Sequence, residues 1–232
     1  MSCICIIPAR GGSKGIFKKN IIEVGGKPLI AWSIIQAIES KFVDSVYVST
    51  DDDEIAQVAR KYDAKIIKRP ASIATDTATS EEAISHALSE IEQARTVETI
   101  VFLQATSPIR EKDDIDNAIT LFKKEKYDSL LSCTKLEDYF IWERTENSSQ
   151  SINYDYKNRK RRQDISPQYL ENGSIYIFTP SILRKENNRL GGQIGIYEMD
   201  FWKSYQIDNT DDIDICDYYL YKRILNKRIK YV

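Results

Sequence analysis

The sequence predicts an α/β fold, a mostly parallel sheet with helices on both faces. Two observations carry this. Short apolar runs alternate with amphipathic stretches along the chain, and strand–helix–strand repetition at that spacing calls for right-handed crossovers onto a parallel sheet. Each chemically equipped loop also follows the end of a predicted strand: residues 9–19, Thr50–Asp51 and Gln104–Arg110. Ligands bind at that edge of such sheets.

The elements follow in order. Cys3–Ile7 is a continuous apolar run, the pattern of a strand buried on both faces. Pro28–Ile38 places Leu29, Ile30, Trp32, Ile34, Ile35 and Ile38 at helical spacing, with proline in the first turn. Val43–Ser49 reads as a strand, and Asp51-Asp52-Asp53-Glu54 opens the next helix with carboxylates, which favour a helix N-terminus. Strands are expected at Ala64–Ile67, Thr99–Leu103 and Ser129–Cys133, and helices at Ser80–Ile91 and Asp113–Phe122. Beyond Leu136 the pattern loosens until Pro167. That stretch holds Lys157-Asn158-Arg159-Lys160-Arg161-Arg162, five cations in six residues. It reads as a solvated loop, or as a hairpin or lid that carries a cation to the site or to a partner subunit. Strands resume at Ser174–Phe178 and Gly195–Met199, and a long helix is expected from Asp211 to Arg228. The organisation is thus one domain over residues 1–232, with 136–168 as a dimerisation or lid insertion.

Composition removes several functions. With 232 residues the chain can bury a substantial core. Thirty-three Lys+Arg against 35 Asp+Glu leave a net charge of −2, without the basic excess that coating a nucleic acid needs. A single histidine, His86, excludes a zinc site built on several imidazoles. Cys3, Cys5, Cys133 and Cys216 lack C-x-x-C spacing, so buried, reduced thiols are expected. The apolar start breaks at Pro8, short of a membrane span. The expectation is a cytoplasmic protein with neither membrane nor nucleic-acid partners.

The loop after the first strand is the chemical centre. Ile7-Pro8-Ala9-Arg10-Gly11-Gly12-Ser13-Lys14-Gly15-Ile16-Phe17-Lys18-Lys19-Asn20 combines three glycines with four cations. Glycines let backbone N–H groups converge on an anion, and the cations neutralise it, as a triphosphate requires. The glycines at 11, 12 and 15 match neither G-x-x-x-x-G-K-[ST] nor G-x-G-x-x-G.

This run, I-P-A-R-G-G-S-K-G-I-x-x-K-N with G-G-K-P-L-I after it, resembles the opening of the CMP-N-acylneuraminate (CMP-sialic acid) synthetase family of cytidylyltransferases. Gln104-Ala105-Thr106-Ser107-Pro108-Ile109-Arg110 is similar to the family's Q-P-T-S-P-L-R, and Asn172-Gly173-Ser174-Ile175-Tyr176-Ile177 to its N-G-[SA]-I-Y-I. The resemblance implies a Rossmann-like nucleotidyltransferase fold, a homodimer, and transfer of CMP from CTP to the anomeric hydroxyl of a nine-carbon α-keto sugar acid, with Mg²⁺ as cofactor. It gives catalytic roles to Lys19 and Arg10. Ala9, Arg10, Gly11, Gly12, Ser13, Lys14 and Asn20 would face the nucleotide, and Arg69 and Ser80 the cytosine. Ser80 reads equally as a helix N-cap. Gln104, Arg162, Gln163, Asn172 and Tyr176 would meet the sugar acid. Arg162 could come from the neighbouring subunit or belong to a solvated cationic run, and Tyr176 could pack against the sugar or fill the core.

Two segments depart from the family pattern. Where the family carries D-I-D-T-x-E-D, this chain has Gln206-Ile207-Asp208-Asn209-Thr210-Asp211-Asp212, so Asp208 and Gln206 are the candidate metal ligands. Asp138-Tyr139-Phe140-Ile141-Trp142 stands where the family often has a histidine–proline segment and a lysine near the sugar. Both lie on the sugar and metal side, which leaves the acceptor open to relatives of sialic acid such as legionaminic or pseudaminic acid. The alternatives are a nucleotidyltransferase acting on 3-deoxy-manno-octulosonate or an isoprenoid precursor, and a non-catalytic nucleotide-binding protein of the same fold.

Overall fold

A seven-stranded sheet organises the chain. The structure is a computed structural model and describes residues 2–13, 15–137 and 139–226. In chain order the elements are β1 (Cys3–Pro8), β2 (Glu23–Val24), β3 (Lys27–Pro28), α1 (Leu29–Ile38), β4 (Ser45–Thr50), α2 (Asp53–Lys61), β5 (Lys65–Lys68), α3 (Ser80–Glu92), β6 (Thr99–Leu103) and α4 (Asp114–Glu125). They continue with β7 (Ser129–Leu136), β8 (Trp142–Arg144), β9 (Ser149–Ser151), β10 (Gln168–Phe178), α5 (Pro180–Glu186), β11 (Ile194–Met199) and α6 (Asp211–Tyr219). The main sheet has the order β11-β7-β10-β6-β1-β4-β5.

β1 lies deep in this sheet, parallel to both β4 and β6. Its side chains alternate between two cores, as a period of two demands. Cys3, Cys5 and Ile7 enter one core with Ile30 and Ile34 of α1 and Ile115 and Ile119 of α4. Ile4 and Ile6 enter the other, with Ile84 and Leu88 of α3 and Leu183 of α5. The unbroken apolar run therefore reports burial on both faces, and the expected α/β architecture with helices on each side is the observed one. Most expected strand boundaries lie within two residues of the observed ones, but β7 runs on to Leu136, past Cys133, and β10 begins at Gln168, well before Ser174.

One strand runs against the rest. β10 is antiparallel to β6 and to β7, between which it sits. It returns from the 137–167 excursion, so it enters the sheet from the opposite end. Its register against β7 shifts between Glu171 and Tyr176, where Gly173 adopts φ +63°. Within the excursion β8 and β9 pair as a separate two-stranded sheet. Its aromatics pack on one another: Trp142 lies 5.9 Å from Tyr154 and 5.5 Å from Tyr156, centroid to centroid.

Three local expectations need correction. Pro28 is the N-cap of α1 rather than a residue of its first turn, because it also pairs in β3. Ser80 is not a cap: Thr79 holds that position, accepting from Glu82 N while its own N–H donates to the Glu82 carboxylate at 2.7 Å. The final helix does not run unbroken towards Arg228. α6 ends at Tyr219 and passes into a π turn over Leu220–Ile224, which keeps Leu220 buried against Trp32 and Gly25; Arg228 lies outside the described residues. Among the described residues no helix is long and apolar enough to cross a membrane.

Candidate active site

The cavity that matters opens at the carboxyl ends of β1, β5 and β6 and has a volume of about 520 Å³. β1 ends at Pro8, and the Ala9 N–H donates to Ser49 O at 2.9 Å, tying the loop to the end of β4. The Asn20 amide donates to Arg10 O at 3.0 Å and closes the loop on itself.

Two of its glycines are required by close approach. A Cβ on Gly15 would lie 2.8 Å from the Asp208 carbonyl, and one on Gly11 would lie 2.7 Å from the Asp52 carboxylate. Gly15 therefore lets the loop pass directly against the 206–208 segment. That segment is itself anchored, since Ile207 N donates to Thr106 O at 2.9 Å.

Of the described cations in the loop, Arg10 and Lys19 line the cavity. Lys19 Nζ donates to Ile207 O and to Asp208 Oδ1, each at 3.0 Å. Arg10 Nη1 meets Asp76 Oδ1 at 2.5 Å. Lys18 instead turns to Glu54 of α2, with both oxygens within 2.6 Å. Carboxylates thus hold the very cations that an anionic ligand would engage. An amide is similarly held: Gly11 N donates to Asp51 Oδ1 at 3.1 Å.

On the far wall Arg69 is buried and donates to Ser49 O at 2.6 Å and to Ser49 Oγ at 3.2 Å. Burial lowers its pKa, which the nearby Asp51 charge opposes. Ser80 and Ala83 of α3 and Phe102 of β6 complete that side. Gln104, Gln206 and Asp208 form the opposite rim. Gln206 Nε2 donates to Asn172 O at 3.1 Å, and the Gln104 Oε1 lies 2.6 Å from where a Cβ on Gly173 would sit. Gly173 thus admits both amides.

Ala9, Arg10, Ser13, Lys19, Asn20, Arg69, Ser80, Gln104, Gln206 and Asp208 are therefore brought together around one space. Gly11, Gly12, Asn172, Tyr176 and Gln163 are not part of its wall. Asn172 is buried and its side chain serves the β10 bulge, accepting from Ser132 Oγ at 2.6 Å and from Ser174 N at 3.2 Å. Tyr176 fills the core: its ring stacks on Phe102 at 5.2 Å and its hydroxyl donates to Glu171. Burial, then the Glu171 contact, raise its pKa. Phe102 is the ring that reaches the cavity in its stead. Gln163 sits exposed in a 3₁₀ turn, Arg162–Asp164. Lys14 and the Arg162 side chain lie outside what is described. Among the described residues no three His, Cys, Asp or Glu side chains gather as a metal-holding group.

Sequence reasoning missed Asp76, Thr79, Phe102 and the role of Arg110. The last was visible as the end of Q-A-T-S-P-I-R, but nothing in that motif says that the guanidinium is wholly buried beneath the site. Asp76 gives no local signal, since its partner is 66 residues away.

A cytidylyltransferase family model matches residues 4–229. N-acylneuraminate cytidylyltransferase A of Danio rerio is 38% identical over 213 residues, covering 90% of this chain and 48% of that protein. The chain thus spans about half the length of that relative. Post-translational flagellin modification protein B of Campylobacter coli is 31% identical over 230 residues, 97% of each chain. The solved structure of CMP:2-keto-3-deoxy-manno-octonic acid synthetase complexed with CTP is similar in fold, with a TM-score of 0.73 at 17% identity over 96% of this chain and 99% of that one.

Proposed function

The chain belongs to the cytidylyltransferase family, and from that premise we propose that it transfers CMP from CTP to the anomeric hydroxyl of a nine-carbon α-keto sugar acid, releasing pyrophosphate. The observation that carries this reading is the Lys19 ammonium paired with Asp208 on the wall of a cavity that Arg10, Ser13 and Gly15 of the glycine loop also line. The relatives called N-acylneuraminate cytidylyltransferase support the substrate class. The flagellin modification relative, matched along nearly its whole length, keeps legionaminic and pseudaminic acids among the candidate acceptors.

The chemistry is an in-line displacement. The sugar hydroxyl oxygen forms a bond to the α-phosphorus, the bond from that phosphorus to the bridging oxygen breaks, and the hydroxyl proton is released. Negative charge grows on the departing pyrophosphate, and Lys19 and Arg10 stand where cations offset it. Ser13 and Asn20 hold the phosphates and the loop, while Arg69 and Ser80 bound the cytosine. Gln104 meets the sugar hydroxyls. Arg162 and Gln163 reach the acceptor from a second copy of the chain in a homodimer, with residues 136–168 as the dimerisation or lid insertion; a bidentate arginine suits the acceptor carboxylate.

The donor set fits Mg²⁺ that draws most of its ligands from phosphates and water, as this ion commonly does. Asp208 and Gln206 would hold it. When bound, Mg²⁺ neutralises phosphate charge. An amide in place of a second carboxylate removes one negative charge from that set.

The test is pyrophosphate release from CTP and Mg²⁺ with a panel of keto sugar acids. Turnover with one or more nine-carbon acids is expected. Turnover confined to the eight-carbon 3-deoxy-manno-octulosonate would overturn the acceptor, and no turnover with any acid would favour a non-catalytic nucleotide-binding role.

A further inference from the structure

We propose that Arg110 is a positioning residue that sets the spacing of the Gln104 and Gln206 amides, and through them the affinity for the acceptor. The inference rests on the proposed reading that Gln104 meets the sugar hydroxyls, with Gln206 beside it on the same rim.

Arg110 is wholly buried. Its Nη1 donates to Ser33 Oγ at 3.1 Å and to Gln36 Oε1 at 2.9 Å, and its Nη2 to Ser174 O at 2.7 Å and to Gln104 O at 3.2 Å. All four acceptors are neutral oxygens, and Nε has no hydrogen-bond partner among the described residues. A cation out of water is costly. An apolar side chain would leave these four oxygens without the guanidinium's donors, so the arginine is there for the groups it joins rather than to fill space.

That task is visible in the sheet. The β6–β10 ladder runs from Ile100↔Phe178 to Leu103↔Ile175 and stops there. At the next position β10 bulges, and the guanidinium joins the carbonyls of Gln104 and Ser174 in place of the missing ladder. Both sides of this joint lead to the rim. Gln104 carries one amide. Residues 172–174 receive the other, through Gln206 Nε2 to Asn172 O, and Gly173 lies against both amides. Arg110 therefore fixes the two backbones that fix the two amides. The Gln36 amide donates to Pro108 O at 2.9 Å, so the arginine's own segment is held in turn. None of these bonds goes to Arg10, Ser13, Lys19, Asn20, Arg69 or Ser80, the residues given to the triphosphate and the cytosine.

Lysine keeps the charge but lacks the planar fork. For Arg110→Lys we expect the acceptor KM to rise about tenfold or more and the CTP KM to rise by less, since small displacements of positioning groups cost that much. Ser33→Ala removes one Nη1 acceptor together with the hydroxyl's own bond to Gln104 O at 3.3 Å, and should move the acceptor KM in the same direction, about threefold. Equal rises in both KM values, or no change in either variant, would overturn the inference. A readout without turnover separates it from the functional reading. In ¹⁵N spectra of the ligand-free protein, the Gln104 and Gln206 side-chain amide resonances should shift in both variants, whereas unchanged resonances would sink the positioning role even if every acceptor assay were silent.

Discussion

Lys19 and Asp208 lie 189 residues apart in sequence and meet at 3.0 Å. The lysine side chain is 17% exposed and the aspartate 72%. A pair this open contributes only about 0–1 kcal/mol to stability. Its consequence is placement: the same ammonium also donates to Ile207 O at 3.0 Å, so the glycine loop and the 206–208 segment share one cation.

Lys19→Ala is therefore expected to unfold almost as the wild type does, yet to lose roughly 10²–10³ in kcat, the range for removing one preorganised charge-stabilising donor. Pyrophosphate release and thermal melting measured on the same preparation check both halves. Wild-type turnover in this variant would exclude the loop from catalysis.

Thr79 and Ser80 are adjacent but do different work. Thr79→Ala should destabilise by about 1 kcal/mol, because it breaks the capping box of α3. Ser80→Ala should change stability by less than about 0.5 kcal/mol and raise the CTP KM. Urea melts alongside CTP titrations read the difference; a larger stability loss at Ser80 than at Thr79 would reverse the assignment.

Lys203, buried, contacts Asp114 at 2.9 and 3.0 Å and Glu111 at 2.5 Å. Burial alone would lower its pKa, but bonds and charge from Glu111 and Asp114 outweigh it and raise the value above 10.5. A base whose folded pKa is raised adds stability in full below its unfolded value and loses it as pH climbs through the folded one. Lys203→Met leaves the buried Asp114 unpaired and should cost about 3–5 kcal/mol near neutrality. In urea melts across pH, that gap should narrow only above 10.5; a variant as stable as wild type at neutral pH would contradict the ion pair's importance.

All four cysteines are buried and unpaired. Burial raises the thiols of Cys3 and Cys216 to about 12 and that of Cys133 to about 11, and pushes Cys5 up as well. The native protein at neutral pH should accordingly give no rapid reaction with a thiol-exchange reagent, and four equivalents after denaturation, one for each cysteine. Rapid labelling of the folded chain would mean that one of these sites opens.

The parallel sheet, its helical cover and the glycine–lysine loop were legible because each is written in local patterns. An unbroken apolar run such as Cys3–Ile7 has no face to give to water, and Gly11 and Gly15 mark a backbone that must approach something closely. The antiparallel entry of β10 was not legible: Ser174–Phe178 reads identically in either direction, and only the length and path of the preceding excursion set its sense. The same holds for the site. Lys19 announces a cation at a strand end, yet its pairing with Asp208, the contact of Arg10 with Asp76, and the retreat of Tyr176 behind Phe102 depend on where distant segments come to rest. Residue chemistry is a local property of the chain, whereas which charges face each other is decided by crossovers that bring its ends together.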